Sequence, residues 1–195
     1  MSLKNSFTTS DYLPYPEYRR LIDCLENDGD YRGAAYCTLS FALALRVSDV
    51  LKLRWCQIIG HRNIVVTEQK TQKTKSIPIG EQTEEKIHEL FFKMGSPNYE
   101  GYIIKNEKTE QPLTIQHLNR TLKWWKVKYK LKVDNLSTHS FRKTFGRYVY
   151  EKMGRTQEAL VLLSHIFRHA NISITMVYIG LKEDDTKHLF EGLWE

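Results

Sequence analysis

Two histidines, an arginine and a tyrosine in the last third of the sequence have types and spacing suited to attack on a phosphate. His139 and Arg142 lie three residues apart, and His169 precedes Tyr178 by nine residues. A tyrosine phenol is a weak nucleophile at neutral pH, so its attack on a phosphodiester requires cations that stabilise negative charge and groups that transfer protons. These four residues therefore indicate phosphoryl transfer through a covalent bond to Tyr178.

Two cations further upstream complete this set of groups. Arg46 follows an Ala- and Leu-rich segment that is apolar nearly all round, and Asp49 begins a second, short helix after it. A side chain in such a corner between packed helices is held rigidly. Lys70 lies in a polar loop between two β-branched segments, and Lys73 and Lys75 are alternatives to it as the lysine of the site.

The elements that must position these residues predict a mainly α-helical fold with one small antiparallel β-hairpin, the α+β class. The pattern at residues 10–18 predicts the capped N-terminus of a first helix that ends near residue 25. Ser48 and Ser173 are the expected N-caps of two short helices. The further helices are expected at about 31–45, 49–53, 81–94, 114–130, 139–152, 156–164 and 173–178, and the strands at 63–67, 75–79 and 102–104.

The helix after Thr114 carries an apolar stripe beside a row of lysines. The stripe consists of Leu118, Leu122, Trp125 and Tyr129, and the lysines of the adjoining face are Lys123, Lys126 and Lys130. Such lysines can lie beside DNA phosphates, but a core stripe with an ordinary solvated edge gives the same pattern. The pattern alone favours the solvated edge.

Composition is that of one folded domain. The chain has 195 residues, of which 41% are hydrophobic and 27% charged, and no apolar run approaches the ~20 residues that span a bilayer. We therefore expect a protein that is not in a membrane, and the start of the sequence indicates the cytoplasm. A net charge of +6 favours an anionic partner. The three cysteines have no paired spacing and predict reduced thiols, with neither disulfide nor zinc site; they are Cys24, Cys37 and Cys56.

The order of these motifs resembles the tyrosine recombinases, also called the phage integrase family. The segment from Ala44 to Trp55 is similar to the family's first-arginine box, the Lys70 hairpin to its lysine-bearing turn, and residues 138–142 to its H-x-x-R motif. The spacing from His169 to Tyr178 also matches. Departures are Ala44 in place of Gly, Asp49 in place of Glu, and Arg168 where many members have Gly.

The resemblance implies a catalytic role for six residues: Arg46, Lys70, His139, Arg142, His169 and Tyr178. It implies that the two arginines and His169 bind the non-bridging phosphate oxygens while the tyrosine attacks and forms a 3′-phosphotyrosine bond. Lys70 would protonate the leaving 5′ oxygen, and His139 would accept the phenol proton. Asp49 would orient neighbouring cations. The implied reaction uses no metal ion, no ATP and no other cofactor.

The resemblance covers about residues 10–193 and implies that 1–195 is the catalytic domain, without the family's N-terminal core-binding domain. The implied partner is double-stranded DNA, bound by a homotetramer with the C-terminal segment packed in trans. The segment's apolar residues are Leu189, Phe190, Leu193 and Trp194, and packing on their own domain stays an open alternative. Two other functions also stay open: type IB topoisomerase-like cutting and resealing, and DNA-binding regulation without catalysis.

Overall fold

The computed structural model describes residues 10–70 and 72–181, and within them it confirms the predicted α+β class. Helices account for most of this part of the chain, and two strands form one antiparallel pair. The elements are α1 (Tyr15–Asn27), α2 (Tyr31–Ala42), α3 (Val47–Val50), β1 (Asn63–Thr67), β2 (Thr74–Pro78), α4 (Glu81–Lys93), α5 (Ile115–Lys128), α6 (Ser140–Lys152), α7 (Gln157–Phe167) and α8 (Ile172–Tyr178). A 3₁₀ turn, Trp55–Gln57, follows α3.

The hairpin forms as predicted, with Asn63 opposite Pro78 and Thr67 opposite Thr74. Side chains alternate along β1, so that Ile64 and Val66 are buried and their neighbours are exposed. Beyond the last pair, the Glu68 backbone N–H donates to the carbonyl of Lys73 (3.1 Å) and closes the base of the loop. Lys70 therefore lies in a short loop whose two ends are joined by hydrogen bonds.

Three predicted elements differ in the structure. The prediction of a strand at 102–104 was wrong. Tyr102 forms only an isolated bridge with Arg54, while Ile103 and Ile104 are core residues. The first helix begins only at Tyr15, after Pro14, whose side chain cannot cap. The helix expected to reach residue 45 ends at Ala42. Its continuation is broken because Ala44 adopts the left-handed conformation, with φ 48°.

Two predicted N-caps were also misplaced. Arg46, not Ser48, occupies the N-cap position of α3, and no side chain among the described residues caps that helix. The side chain of Asn171, not Ser173, caps α8 by accepting from the Ile174 N–H (3.0 Å). The side chains of Thr114 and Thr156 cap α5 and α7. The apolar segment at 189–194 lies outside the described residues.

Two apolar clusters form the interior. The larger one joins α1, α2, α4, α5 and α6, and its most buried large side chains include Trp55, Trp125, Tyr36 and Phe141. The smaller one joins α6, α7 and α8 and consists of Ala44, Leu160, Leu163, Phe167 and Ile179. Cys37 is buried, and none of the three cysteines is bonded to another.

Helices α7 and α8 meet at a sharp bend. α7 ends at Phe167, and the next residue, Arg168, is left-handed with φ 54°; the His169 N–H then donates to the carbonyl of Ser164 (3.0 Å). Among the described residues, no single helix is long and apolar enough to cross a membrane. Taken together, α7 and α8 have the length and composition to do so, but they are bent by 89°. The bend places His169 and Tyr178 on the same side of the smaller cluster.

Replacing Gly146 by alanine is expected to lower the free energy of unfolding. A Cβ on this α6 residue would lie 2.6 Å from Cγ2 of Ile179 and 2.9 Å from the Phe167 ring. Overpacking of that kind costs about 1–3 kcal/mol, which outweighs the gain of about 1 kcal/mol that alanine brings inside a helix. Urea unfolding of Gly146→Ala measures the difference.

The matched control is Gly80→Ala, at the start of α4, where the nearest atom to an added Cβ is 3.9 Å away. The free energy of unfolding of this variant is expected to fall by about 0.5 kcal/mol, the usual cost of alanine at an N-cap. Equal stability of the Gly146 variant and the wild type would contradict the close packing of α6 on Phe167 and Ile179.

Candidate active site

Arg142 is the centre of the site because its guanidinium joins two separate parts of the chain. It is 4% exposed. Its Nη1 donates to the Ala44 carbonyl and its Nη2 to the Phe167 carbonyl (3.1 Å), and the guanidinium lies 4.7 Å from the Phe167 ring centroid. Burial lowers its pKa, and the nearby phenol of Tyr178 acts in the opposite direction. Arg142 therefore fixes the corner before α3 to the end of α7.

Tyr178 ends α8 and packs on the same group of side chains. Its ring centroid is 5.2 Å from that of Phe167 and 5.1 Å from that of His169, and Nζ of Lys143 lies 5.3 Å from its ring. The hydroxyl is buried and makes no hydrogen bond of acceptable geometry with the described residues. Burial raises the pKa of the phenol, while Arg142 and Arg46 lower it by less. In the free protein Tyr178 is thus protonated at neutral pH.

His169 is a neutral imidazole whose orientation is set by Thr175. Nδ1 lies 2.9 Å from Oγ1 of this fully buried threonine. Burial, followed by the charges of Arg142 and Arg46, lowers the pKa of His169 to about 4. When the threonine hydroxyl donates to Nδ1, the proton of the neutral ring is on Nε2, which can then donate to an anion.

His139 occupies the N-cap position of α6 and is also neutral at pH 7. Burial lowers its pKa, and Arg142, Lys143, Arg46 and Lys70 add to the effect in that order. A neutral imidazole can accept a proton, which a permanently charged one cannot. Burial and the cations around the site therefore keep His139 in the form that a general base requires.

Arg46 is oriented by a carboxylate. Its Nη1 lies 2.9 Å from Oε2 of Glu68, which is completely buried. Asp49, predicted to orient cations, instead accepts a hydrogen bond at Oδ1 from the backbone N–H of Gln69 (3.0 Å). Asp49 therefore holds the hairpin next to Lys70, while Glu68 contacts Arg46.

The three lysines of the hairpin have different environments. Lys70 and Lys73 are exposed. Lys75 is half-buried, with Nζ 3.2 Å from Oε1 of Glu68, and burial lowers its pKa. Lys70 forms no ion pair with the described residues and is close enough to His139 to influence its pKa. Of the three, Lys70 is the lysine whose charge acts on the pKa of His139.

Helix α5 presents its lysines beside the loop that leads to His139. Its predicted stripe of Leu118, Leu122, Trp125 and Tyr129 is buried. Lys123 and Lys126 line a surface cleft of about 770 Å³ that Ser137 also lines, and Oδ1 of Asn119 accepts from the Thr138 N–H (3.3 Å). Lys126 donates to the Asp134 carbonyl (2.7 Å), and Lys130, just after the helix, is exposed.

Sequence reasoning missed two side chains of the site. Glu68 continues the alternation of Ile64 and Val66, so the period of two in β1 could have predicted that its side chain points inward. Lys143 is buried beside Tyr178 and donates through Nζ to the Ser10 carbonyl. No sequence signal distinguishes Lys143 from a surface lysine of α6.

The free energy of unfolding is expected to fall as the pH drops from about 6.5 to about 4, because the unfolded chain binds a proton at His169 over that range and the folded chain does not. In His169→Gln, the fall in the free energy of unfolding over this pH range should be smaller by on the order of 1 kcal/mol. The difference is this small because solvent partly screens the half-buried ring. Urea unfolding at a series of pH values measures it. The exposed His61→Gln is the control, and an unchanged slope in His169→Gln would contradict the lowered pKa.

Known proteins share both the sequence and the fold. The profile described as "Phage integrase family" matches residues 11–184. A probable integrase/recombinase, YoeC of Bacillus subtilis (strain 168), is 32% identical over 148 residues, which are 76% of this chain and 77% of YoeC. The tyrosine recombinase XerD of Vibrio vulnificus (strain YJ016) is 24% identical over 164 residues, covering 82% of this chain and 52% of XerD. The chain thus spans about half the length of this XerD relative.

Solved structures of the same fold include the XerA recombinase, with a TM-score of 0.69 and 19% identity over 94% of this chain and 65% of XerA. A lambda integrase (75–356) dimer bound to a COC′ core site has a TM-score of 0.66 and 19% identity, over 92% of this chain and 62% of the integrase. The likeness to these structures shows the fold. Since the family profile matches most of the sequence, this chain belongs to the phage integrase family.

Proposed function

We propose that this protein is a site-specific DNA recombinase that cuts and rejoins DNA through a 3′-phosphotyrosine bond to Tyr178. Membership of the phage integrase family supports recombination in general. The single observation that carries the chemical proposal is the convergence of Tyr178, Arg142 and His169 at the bend between α7 and α8. Residues 1–195 would constitute the catalytic domain, which would act in the cytoplasm.

Arg142, Arg46 and His169 would bind the scissile phosphate. In the transition state, negative charge builds on the non-bridging oxygens, and a guanidinium presents parallel N–H donors to two such oxygens. The Nε2–H of neutral His169 would add a third donor. Each of these contacts is stronger in a buried site from which water is excluded. The buried, fixed guanidinium of Arg142 would therefore stabilise the charge on the phosphate strongly.

Proton transfer completes the proposed step. The Tyr178 oxygen bonds to phosphorus, the bond from phosphorus to the 5′ oxygen breaks, and the DNA 3′ end becomes joined to the phenol. His139 accepts the phenol proton, and Lys70 donates a proton to the leaving 5′ oxygen. A 5′ hydroxyl from another strand reverses the reaction, so the phosphate bond is conserved and the proposed cycle needs neither ATP nor a metal ion.

Double-stranded DNA is the proposed partner. The net charge of +6 and the exposed lysines of the hairpin and of α5 support it, since phosphate neutralisation dominates the affinity of proteins for DNA. Several solved relatives are DNA complexes, including XerH bound to a difH substrate. A homotetramer is proposed for strand exchange. It is supported by exposed apolar side chains on α7 and α8, which are Val161, Leu162, Ile174, Met176 and Val177.

The test uses nicked duplexes with randomised sequence on both sides of the nick, so that the cleaved 5′ fragment diffuses away and traps the covalent intermediate. We expect a denaturant-stable protein–DNA adduct in the presence of EDTA, with the attachment mapped to Tyr178 by peptide mass spectrometry. Sequencing the trapped DNA identifies the target. An adduct on another residue would contradict the proposal, and plasmid relaxation without strand exchange would favour the topoisomerase-like alternative.

A further inference from the structure

The buried carboxylate of Glu68 is shared by three cations from three different parts of the chain. Oε2 lies 2.9 Å from Nη1 of Arg46 and 3.2 Å from Nη1 of Arg168, and Oε1 lies 3.2 Å from Nζ of Lys75. An ionised carboxylate buried without such partners would be strongly unfavourable. The position of Glu68 therefore depends on these cations, and theirs on it.

Arg168 makes a second set of contacts, to the hairpin backbone. Besides its pair with Glu68, Nη1 reaches the Lys73 carbonyl (3.5 Å) and Nη2 the Thr74 carbonyl (3.4 Å). Its own backbone is the left-handed end of α7, immediately before His169. One side chain thus connects the turn that carries His169 with both sides of the loop that carries Lys70.

We propose that Arg168 is a positioning residue: through Glu68 and the hairpin carbonyls it holds the Lys70 loop against the turn that carries His169. The inference rests on the proposed function for its catalytic consequence, whereas its structural part does not. A two-stranded hairpin is marginally stable without further support. The contact of Asp49 with the Gln69 N–H supports one side of this hairpin, and Arg168 supports the other.

Glu68 also keeps Arg46 available for phosphate. Nη1 makes the closest contact of Arg46 with the carboxylate, and the other guanidinium nitrogens of Arg46 donate no hydrogen bond to the described residues. A guanidinium has five N–H donors in a fixed planar arrangement. Glu68 therefore orients Arg46 while leaving donors free to face the scissile phosphate.

The backbone at residue 168 allows a clean test. Because glycine adopts φ 54° without strain, Arg168→Gly removes the side chain and leaves the turn intact. Glu68→Gln keeps the shape of the carboxyl and removes its charge. The matched control is Arg62→Gly, which deletes an exposed arginine paired with Glu81 at the other end of β1.

The first measurement is hydrogen exchange of the DNA-free protein. Arg168→Gly is expected to increase exchange of the amides in residues 63–78 by about 5-fold or more, as local opening of the hairpin becomes easier, with α1 and α2 unchanged. Glu68→Gln should increase it in the same segment, and the double variant should add little beyond the single ones. Hairpin exchange equal to that of wild type and of Arg62→Gly would overturn the proposal.

The second measurement is the single-turnover rate of adduct formation on the trapped target site. Arg168→Gly is expected to slow it about 10-fold or more, because small misplacements of a catalytic group are costly, while the Kd for DNA changes less than about 3-fold. Arg168→Lys should restore part of the rate, since it retains the charge opposite Glu68 but not the two-pronged contact. A wild-type rate in Arg168→Gly would overturn the positioning role. If wild type itself forms no adduct, the proposed function fails, and the exchange measurement still decides whether Arg168 holds the hairpin.

Discussion

Tyr178→Phe is expected to lower covalent adduct formation by at least about 1000-fold, the scale on which loss of a nucleophile acts in covalent catalysis, while the Kd for DNA stays within about 3-fold. The reason is that the variant removes the attacking oxygen and keeps the ring. Contacts of that ring with Phe167 and His169 are retained. The measurement is the adduct yield on the nicked duplex together with a binding titration.

The same variant should fold normally. The Tyr178 hydroxyl is buried and bonded to none of the described residues with acceptable geometry, so its removal leaves no partner unpaired, and the free energy of unfolding should change by less than about 0.5 kcal/mol. Tyr150→Phe, a half-buried tyrosine beside the same apolar cluster, is the control and should react like wild type. Loss of both stability and DNA binding in Tyr178→Phe would instead assign Tyr178 a structural role.

The electrostatics of the free site set the protonation states of Tyr178, the proposed nucleophile, and of the two histidines around it. Burial raises the pKa of Tyr178, so the phenol keeps its proton. Burial, followed by the charges of the surrounding cations, lowers the pKa of His139 and His169, so both histidines are neutral and able to accept or donate one proton. A bound phosphate would bring negative charge to these cations, and attack then requires only that the phenol proton move to a neutral base.

Local sequence signals were enough to predict most elements and the placement of the site residues on them. The β-branched segments predicted at 63–67 and 75–79 form the hairpin, with the second strand one residue earlier at Thr74–Pro78, and the apolar periodicity of α5 gives its buried stripe. Arg46 lies at a corner between two helices as expected. These features follow from alternation and helical spacing, which depend on neighbouring residues and on burial of one face.

The features that sequence reasoning missed depend on contacts between distant segments. Ala44 and Arg168 adopt left-handed conformations although neither is glycine, the residue that the family resemblance places at both positions, and the carbonyls of Ala44 and Phe167 are the acceptors of Arg142. The pairing of Glu68 with Arg168 joins residues one hundred positions apart. Tertiary interactions stabilise these conformations against their local cost, so a local pattern contains no trace of them.

Replacing Arg142 by lysine is expected to slow adduct formation by about 100-fold or more, although the positive charge is kept. The guanidinium has enough donors to bond the Ala44 and Phe167 carbonyls and still present N–H groups to a phosphate. The single ammonium group of lysine, on a shorter side chain, cannot bond both carbonyls and a phosphate at the same time. The measurement is the single-turnover rate on the trapped site.

The structural effect of Arg142→Lys separates it from a purely chemical defect. At least one of the two buried carbonyls loses its donor, which typically costs about 1–3 kcal/mol in the free energy of unfolding. The control, Arg62→Lys, changes an exposed arginine and should alter neither rate nor stability. A near-normal rate in Arg142→Lys would mean that charge alone suffices at this position. The planar guanidinium contact with the phosphate would then be made by Arg46, whose Nη1 is oriented by Glu68. Arg142 would act mainly by holding the corner at Ala44 to the end of α7.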